Sequence, residues 1–480
     1  MPSIAIIGTG FAGIGLAISL KRRGINSFCL YERAAAVGGV WRDNTYPGAA
    51  CDIPSHLYSF SFEHQYVWSR RYAPQGEILA YLNHCIDKYE IRPHITLNTE
   101  ITGAEFQESR GVWALSSGEK TIAEVQILVS AIGQFSHPVV PSFPGQDSFS
   151  GQQIHSARWD HGFCVEGKNV AVIGTGASVI QIVPEIAGRA RKLTIFQRSA
   201  PYVFPKGPDL FTAKEVEVLT RFPILRTLDR LKIYASYEAR IPRRKSEKRI
   251  VKSEHIFRNL LLKEISDPSL REDLTPDHRW GCKRVLLSND WYRTLSRQNV
   301  EIVKQPIEAI QPEGVRTRDG ATHVADAIIY GTGFAPSDFL RGLKIKGLGG
   351  EEISKAWSDG AEAYLGITVA GFPNFFLVFG PNTNIPGSVV YMIESQVRYI
   401  VRMVEAFDRS RFRYVNVRAD VQKMFNQRLQ RELRKTVWAT GNCSNWFMAA
   451  SGKITTQWPG FLFAYRRLTR RPKRKDYTSV

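Results

Sequence analysis

The stretch that decides the fold lies near the start of the chain and reads Ile4-Ala5-Ile6-Ile7-Gly8-Thr9-Gly10-Phe11-Ala12-Gly13. Its four apolar residues predict a buried strand, and the glycines predict a tight turn into a helix. Gly8 permits the turn, Gly10 lets the backbone approach a pyrophosphate, and Gly13 lets helix and strand pack closely. A second strand ends at Glu32, whose carboxylate can accept hydrogen bonds from a ribose. This order predicts a dinucleotide-binding unit.

A second unit of the same kind begins at residue 169. The apolar strand 169–173 leads into Gly174-Thr175-Gly176-Ala177-Ser178-Val179, with valine at the third glycine position. We expect this side chain to widen the packing of helix against strand slightly. The next strand ends in Gln197-Arg198-Ser199 without an acid, and an arginine there can hold a 2'-phosphate, so the second nucleotide is predicted to be NADPH. The residues predicted to bind it are Gly174, Thr175, Gly176, Ser178, Arg198 and Ser199.

The charge of the chain limits its partners. The formal net charge is +19, from 64 Lys and Arg against 45 Asp and Glu, and two basic runs at 240–249 and 466–475 carry much of the excess. We expect both runs to be solvated surface, because no nucleic-acid-binding motif accompanies them. No nucleic acid is therefore expected as a partner. Peripheral membrane contact through the basic C-terminal run stays an open alternative.

The six cysteines are scattered at positions 29, 51, 85, 164, 282 and 443, without the spacing of a metal site or of a disulfide framework. We expect reduced thiols, no metal and a cytoplasmic protein. We also expect no signal peptide, because the first strand runs directly into a glycine turn. The longest apolar stretch, near residues 372–379, is too short to span a bilayer.

The segment between the two glycine turns reads Phe149-Ser-Gly151-Gln-Gln-Ile-His155-Ser-Ala-Arg-Trp159-Asp160. It resembles the fingerprint of the type I Baeyer-Villiger monooxygenases, flavoproteins that insert one oxygen atom from O2 beside a ketone carbonyl. We interpret it as a hinge between two cofactor sites. The residues of the fingerprint are Phe149, Gly151, His155, Trp159 and Asp160.

The resemblance extends over almost the whole chain and implies that FAD occupies the first unit and NADPH the second. It places Trp41 and Tyr58 beside the FAD and makes Lys283 a further contact to the 2'-phosphate. It also places Trp446 on a mobile control loop that contacts the nicotinamide nucleotide. Taken singly, each of these aromatic residues is also compatible with a core position.

The predicted fold class is α/β, with two Rossmann-like dinucleotide-binding domains, for FAD and NADPH, and a helical insertion. The length of 480 residues suits more than one domain. The predicted parts are the first part of the FAD-binding domain (1–140), the linker with the fingerprint and the NADPH-binding domain (141–208), the helical insertion (209–278), the remainder of the NADPH-binding domain (279–325), and the second part of the FAD-binding domain with the control loop (326–480).

The resemblance also implies the reaction. NADPH reduces FAD, and the reduced flavin forms a C4a-peroxide with O2. This peroxide attacks a ketone carbonyl and gives an ester or lactone. Arg284 would be the catalytic residue, held in place by Asp52, because a guanidinium stabilises negative charge without donating a proton. The predicted substrates are a ketone and O2.

Two other functions stay open. A flavin monooxygenase that oxidises nitrogen or sulfur shares the two glycine turns, but its peroxide acts as an electrophile and needs no Arg284. The ending Trp159-Asp160 of the fingerprint favours ketones. The other alternative is a redox-silent flavoprotein that uses its basic surface for recognition of nucleic acid or membrane.

Overall fold

The computed structural model describes residues 1–135, 137–335, 337–340, 342–410, 412–441, 443, 447–449 and 451–480. These residues form a mixed α/β structure around two five-stranded sheets. The strands are β1 (Ile4–Ile7), β2 (Phe28–Tyr31), β3 (Ile95–Thr96), β4 (Gly103–Gln107), β5 (Val112–Ser117), β6 (Lys120–Val125), β7 (Ile127–Ser130), β8 (Gln152–His155), β9 (Asn169–Ile173), β10 (Lys192–Phe196), β11 (Val203–Phe204), β12 (Leu286–Leu287), β13 (Val300–Val303), β14 (Ile307–Gln311), β15 (Gly314–Thr317), β16 (Thr322–Val324), β17 (Ala327–Tyr330), β18 (Lys344–Lys346), β19 (Phe375–Leu377), β20 (Val415–Val417) and β21 (Tyr477–Ser479).

The helices cover the faces of the sheets and form a separate lobe. They are α1 (Phe11–Lys21), α2 (Val40–Asp43), α3 (Gln75–Lys88), α4 (Val179–Ile186), α5 (Ala213–Arg221), α6 (Ile224–Arg240), α7 (Glu247–Glu264), α8 (Pro268–Asp273), α9 (Trp291–Leu295), α10 (Ile353–Ala356), α11 (Val389–Arg409), α12 (Ala419–Leu433), α13 (Val437–Thr440) and α14 (Leu462–Leu468).

The first sheet has the order β19-β7-β1-β2-β3, and all of its strand pairs are parallel. β1 and β7 are buried along their whole length, as is typical of parallel strands covered on both faces. Helices α1 and α11 share one core with one face of this sheet. The sheet β18-β4-β5-β6 packs against the other face. The first predicted unit is thus a layered α/β structure with β1 at its centre.

The second sheet has the order β13-β10-β9-β17-β8 and is also parallel. The predicted α/β class with two Rossmann-like units is therefore confirmed. The predicted start of the last part at residue 326 needs a correction, because β17 pairs with β9 and β8 of the second sheet. The chain contributes its next strand to the first sheet only at β19. The rest of the predicted division stays a proposal.

The predicted insertion contains helices α5 to α8. Thr212 and Glu215 form a capping box that starts α5, in which each side chain accepts a hydrogen bond from the other residue's backbone N–H. After α6, a 3-10 helix over Ile241–Lys245 turns the chain into α7. Phe257 and Leu261 of α7 are buried in the core of the second unit. The insertion is thus anchored to the second unit, and its turn after α6 faces the cavity described below.

A disulfide joins Cys282 to Cys443, whose Cα atoms lie 6.3 Å apart. This corrects the expectation that all six cysteines are reduced thiols. The two residues are 161 positions apart, so no local spacing signalled the pair. Cys29, Cys51, Cys85 and Cys164 are unpaired.

The structure was also searched for helices that could cross a membrane. Over the described ranges, no helix has both the length and the apolar character that a membrane span requires.

Candidate active site

One large cavity of about 1160 Å³ lies between the two units and is lined by residues of both and of the insertion. It exceeds the roughly 300 to 1,000 Å³ of a pocket for one small ligand. It opens where β1 ends, the position at which parallel sheets bind nucleotides, and it reaches Ala177 and Ser178 before α4. Gly174, Thr175, Gly176 and Ser199 are not part of its lining. The predicted site residues in its lining are Gly8, Gly10, Glu32, Trp41, Asp52, Tyr58, Ser178, Lys283 and Arg284.

The first glycine turn fits a bound pyrophosphate. Gly8 has φ +107°, and a Cβ there would lie 2.7 Å from the carbonyl oxygen of Ala131. A Cβ at Gly13 would collide with the carbonyl oxygen of Gly8, so helix and strand touch here as predicted. Gly10 lines the cavity, and a side chain there would fill the space that a phosphate needs. The turn therefore has the geometry of a dinucleotide cradle.

Glu32 is buried and linked to the same turn. Its carboxylate accepts hydrogen bonds from the Thr9 hydroxyl at 2.6 Å and the Ala34 N–H at 3.1 Å, and it pairs with Arg42 at 3.0 Å. Burial alone would raise the pKa of Glu32, but the Thr9 hydrogen bond and the Arg42 charge outweigh it and lower the pKa. Glu32 is thus a charged acceptor at the cavity wall. The partners Thr9 and Arg42 were missed, although Thr9 lies inside the motif itself.

Trp41 and Tyr58 contact each other and, like Glu32, line the cavity. The Trp41 Nε1–H donates to the Tyr58 hydroxyl at 3.1 Å, and the rings meet edge to face at a centroid distance of 5.7 Å. Phe11 packs edge to face on Tyr58. Both predicted aromatics are half-buried and line the cavity, so they offer an apolar and partly polar surface to a ligand.

Asp52 and Arg284 come from different units and form an ion pair, with the Arg284 Nη2 donating to Asp52 Oδ2. The Asp52 carboxylate raises the pKa of Arg284, so the guanidinium stays protonated. The Arg284 side chain is 43% exposed, and it lines the cavity. The pair therefore presents a fixed positive charge to whatever the cavity holds.

The segment that carries Asp52 is held against the second unit by residues that the sequence did not single out. The Tyr46 hydroxyl donates to Gln181 Oε1 at 2.9 Å, and Gln181 Nε2 donates to the Ala50 carbonyl at 3.0 Å. Gly48 lies against the backbone of Gln181, which a Cβ would approach to 2.7 Å. Helix α4 thus positions Asp52 opposite Arg284.

The second glycine turn has the same shape as the first. Gly174 has φ +110°, and a Cβ there would lie 2.6 Å from the Gly331 carbonyl oxygen. Val179, expected to widen the packing, is fully buried. It fits because the neighbouring residue is Gly331, where a Cβ would collide with Val179 Cγ2. Gly331, directly after β17, thus provides the space that a glycine at the third position of the motif would provide.

Two predicted cations of the NADPH site lie close together. The Lys283 Nζ donates to the Ser199 hydroxyl at 2.5 Å, and the Thr175 hydroxyl donates to the Ser199 carbonyl at 3.2 Å. Burial lowers the pKa of Lys283, and the positive charge of Arg198 lowers it further. A bound phosphate would relieve this repulsion. Arg198 is exposed, and among the described residues it does not belong to the cavity lining.

Of the fingerprint segment 149–160, Ala157 and Arg158 line the cavity, whereas the five named fingerprint residues are not in its lining. Residues 152–155 form β8, the edge strand of the second sheet, which corrects the interpretation of the whole segment as a hinge. His155 is buried and its ring contacts Phe334, which does line the cavity. A Cβ at Gly151 would collide with the Asp326 carbonyl oxygen.

The other fingerprint residues have structural contacts. Phe149 is buried in the core beside β14. Trp159 contacts Phe163, and Asp160 accepts a hydrogen bond from the Gly162 N–H at 2.8 Å. The named fingerprint residues thus anchor the segment of which Ala157 and Arg158 line the cavity.

Part of the first basic run reaches the cavity, against expectation. Arg240, Arg243 and Arg244 line it, because α6 and the following 3-10 helix end at the cavity wall. Arg244 is half-buried, so the expectation of a solvated surface is wrong for this residue, whereas Arg240 and Arg243 are exposed as expected although they line the cavity. Trp446 lies outside the described residues, whereas its neighbours in the chain Trp438 and Phe447 line the cavity.

Comparisons relate the chain to known proteins. The family described as flavin-binding monooxygenase-like matches residues 2–249. A Baeyer-Villiger monooxygenase of Pseudomonas aeruginosa is 40% identical over 470 residues, covering 97% of this chain and 89% of the relative. A Baeyer-Villiger monooxygenase of Streptomyces coelicolor is 39% identical over 477 residues, covering 99% and 92%. The crystal structure of OTEMO in complex with FAD and NADP has a TM-score of 0.90 at 26% identity, covering 100% of this chain and 99% of that chain.

Proposed function

The chain belongs to the Baeyer-Villiger monooxygenases of the flavin-binding monooxygenase family and uses FAD and NADPH, and we propose that its Asp52–Arg284 pair is the catalytic centre. The overall reaction converts a ketone, O2, NADPH and a proton into an ester or lactone, NADP+ and water. One oxygen atom enters the bond between the carbonyl carbon and its neighbour. The other oxygen atom leaves as water, with the electrons of NADPH.

The residues of the first unit suit FAD. The turn at Gly8 and Gly10 would hold the pyrophosphate, Glu32 would bind the ribose, and Trp41 and Tyr58 would lie beside the flavin ring. When bound, reduced FAD activates O2, while the protein supplies binding, orientation and charge. The support for this assignment is the open space at Gly10 and the charged state of Glu32.

The residues of the second unit suit NADPH. The turn at Gly174 and Gly176 would hold the pyrophosphate, with Thr175 and Ser178 beside it. Lys283 would bind the 2'-phosphate together with Arg198 and Ser199, because two cations and a hydroxyl converge there. The proposal also includes Trp446 as a contact of the nicotinamide nucleotide.

The contact that carries the proposed mechanism is the ion pair of Arg284 with Asp52. Negative charge develops on the carbonyl oxygen of the ketone as the new carbon–oxygen bond forms. A guanidinium fixed at the cavity wall stabilises this charge and retains its own protons. Asp52 keeps Arg284 oriented, so little reorganisation is needed when the charge appears.

The test is to replace Arg284 and to measure ester formation and hydrogen peroxide release for each NADPH consumed. In Arg284→Ala we expect ester formation to fall about a hundredfold or more, the usual loss for one preorganised charge. Peroxide release should rise, because oxygen is still reduced without transfer to the ketone. Arg284→Lys should recover only part of the activity.

The control for this test is Arg293→Ala. Arg293 lies in the same unit, is 81% exposed and pairs only with Asp290 among the described carboxylates. It should keep the wild-type ratio of ester to NADPH. Wild-type ketone oxidation by Arg284→Ala would disprove the catalytic role.

We further propose that the enzyme works in the cytoplasm. The four unpaired cysteines support a reducing compartment, whereas the disulfide is unusual there. The basic run 466–475 is the proposed surface for peripheral membrane contact. Flotation with vesicles of acidic lipid tests this contact. Salt-sensitive binding would support it, and no binding at low salt would exclude it.

A further inference from the structure

Three arginines form a cationic wall on the side of the cavity built by the insertion. Arg240 is the last residue of α6, and Arg243 and Arg244 belong to the 3-10 helix that follows. All three line the same cavity as the Asp52–Arg284 pair. We call them the arginine wall.

The arginine wall lacks carboxylate partners within the part of the chain that the structure describes. Arg240 lies over the ring of Tyr237 at 5.3 Å, and Arg244 over the ring of Trp438 at 5.6 Å. Burial, together with the positive charges of Arg240 and Arg243, lowers the pKa of Arg244 to about 10. By contrast, the next residue, Lys245, pairs with Glu432 at 2.8 Å. The wall is therefore a set of cations whose mutual repulsion an anion would relieve.

The acids of the cavity do not supply this anion. The acids in the lining are Glu32, Asp43, Asp52 and Glu100. Arg42 pairs with Glu32 and Asp43, and Arg284 pairs with Asp52. Glu100 follows Thr99, whose backbone N–H donates to the Glu32 carbonyl, so it lies on the Glu32 side of the cavity.

The arginine wall is also separate from the cations proposed for NADPH. The Lys283 Nζ donates to the Ser199 hydroxyl, and the Ser199 carbonyl accepts from Thr175 of the second glycine turn. Arg240 and Arg244 instead lie over the rings of Tyr237 and Trp438. Lys283 and the arginine wall both line the cavity, and of these only Lys283 is linked to the second glycine turn.

Tyr237 connects the arginine wall with the reaction site. It lines the cavity one helical turn before Arg240, about 4.5 Å along α6. Its ring is in van der Waals reach of Gly387, where a Cβ would lie 3.8 Å from it. Tyr237, Asp52 and Arg284 all line this one cavity. Burial raises the pKa of Tyr237, and the negative charge of Asp52 raises it further. A substrate that reacts at Arg284 can therefore extend along Tyr237 to the wall.

We propose that the substrates of this enzyme are ketones that carry a carboxylate several carbon atoms from the carbonyl, and that Arg240, Arg243 and Arg244 bind this carboxylate. The proposal rests on the oxygen-insertion function proposed above. Guanidinium groups bind carboxylates through paired charge-assisted hydrogen bonds, so the wall would also fix which end of the substrate reaches Arg284.

The test compares oxo acids with their methyl esters, which have almost the same shape but no charge. A series from 5-oxohexanoate to 9-oxodecanoate also measures the preferred spacing. The wild-type holoenzyme should show a kcat/KM at least tenfold higher for the best oxo acid than for its methyl ester. In Arg244→Gln and in Arg243→Gln this ratio should fall about tenfold, toward equal use of acid and ester, as expected for one lost charge-assisted hydrogen bond.

Binding provides a second readout that does not depend on turnover. Calorimetric titration of the oxidised holoenzyme with the best oxo acid should give a Kd that rises by the same factor in both variants. Lys245→Gln is the matched control, because Lys245 lies in the same turn and pairs with Glu432. It should keep the wild-type ratio and Kd.

The outcomes separate the two proposals. Equal kcat/KM for acid and ester, with ester or lactone formed from both, would overturn the carboxylate site and leave the oxygen insertion intact. A rise in the Kd for NADP+ equal to that for the oxo acid would assign the arginines to the nucleotide and also overturn it. If no ketone of the series yields an oxygenated product, the proposed function itself fails.

Discussion

Val179 and Gly331 show at the scale of single residues how a motif can lose a glycine and keep its geometry. The motif requires that helix α4 and the neighbouring backbone pack closely. In the second unit the valine supplies the side chain and Gly331 supplies the space, because a Cβ at Gly331 would collide with Val179 Cγ2. The two residues are 152 positions apart, and their fit depends on β17 lying beside β9.

This pair leads to a prediction about stability. Gly331→Ala should destabilise the enzyme by about 1 to 3 kcal/mol through overpacking, and Val179→Ala by roughly 1.5 kcal/mol through lost burial. The double variant should lose less than the sum, by about 1 kcal/mol or more, because the smaller side chain makes room for the new methyl group. Thermal unfolding of the four FAD-loaded proteins measures this coupling.

Gly76→Ala serves as the control, because no atom lies within 4 Å of a Cβ at this position in α3. Its unfolding temperature should not fall. Strictly additive losses in the double variant would show that Val179 and Gly331 do not share space.

At the scale of elements, local patterns predicted more than distant contacts did. The two strand–turn–helix units and the α/β class follow from short apolar runs and glycine spacing, and both are found. The run 240–249 was expected to be solvated surface, and this fails for Arg244. Charge density does not reveal that the end of α6 and the following 3-10 helix bring three of its arginines to a cavity. The only signal in the sequence for such a turn was a helical pattern that ends in arginines and a proline at residues 240–244.

The disulfide is a second case that depends on how elements meet. Cys282 precedes Lys283 and Arg284, and Cys443 follows helix α13. The bond thus ties the loop that carries Arg284 to the C-terminal part of the chain.

We therefore predict four titratable thiols in the unfolded, unreduced enzyme and six after reduction. Cys443→Ser should destabilise the enzyme by about 2 to 4 kcal/mol, because the crosslink closes a long loop. Titration with a thiol reagent and thermal unfolding test both statements. Cys164→Ser, at an exposed and unpaired cysteine, should leave the unfolding temperature unchanged. Six thiols without reductant would contradict the crosslink.

At the scale of the whole molecule, the site exists only because two units meet in one arrangement. Asp52 belongs to the first unit and Arg284 to the second, and the cavity takes its walls from both and from the insertion. The segment 46–50 fixes this arrangement through Gln181 of α4. A small change at Gln181 should therefore alter the chemistry more than the stability.

Gln181→Ala removes the hydrogen bond from the Tyr46 hydroxyl and the one to the Ala50 carbonyl. Each net hydrogen bond contributes about 1 kcal/mol, so Asp52 should hold Arg284 less firmly, and the ester formed per NADPH should fall about five- to tenfold. The unfolding temperature should drop by only a few degrees, because both cores are untouched. Parallel assays of ester and peroxide measure the effect, with Arg293→Ala, at an exposed residue of the same unit, as the control. If Gln181→Ala keeps the wild-type ratio of ester to peroxide, then other contacts fix the two units, and Asp52 does not depend on this segment for its position.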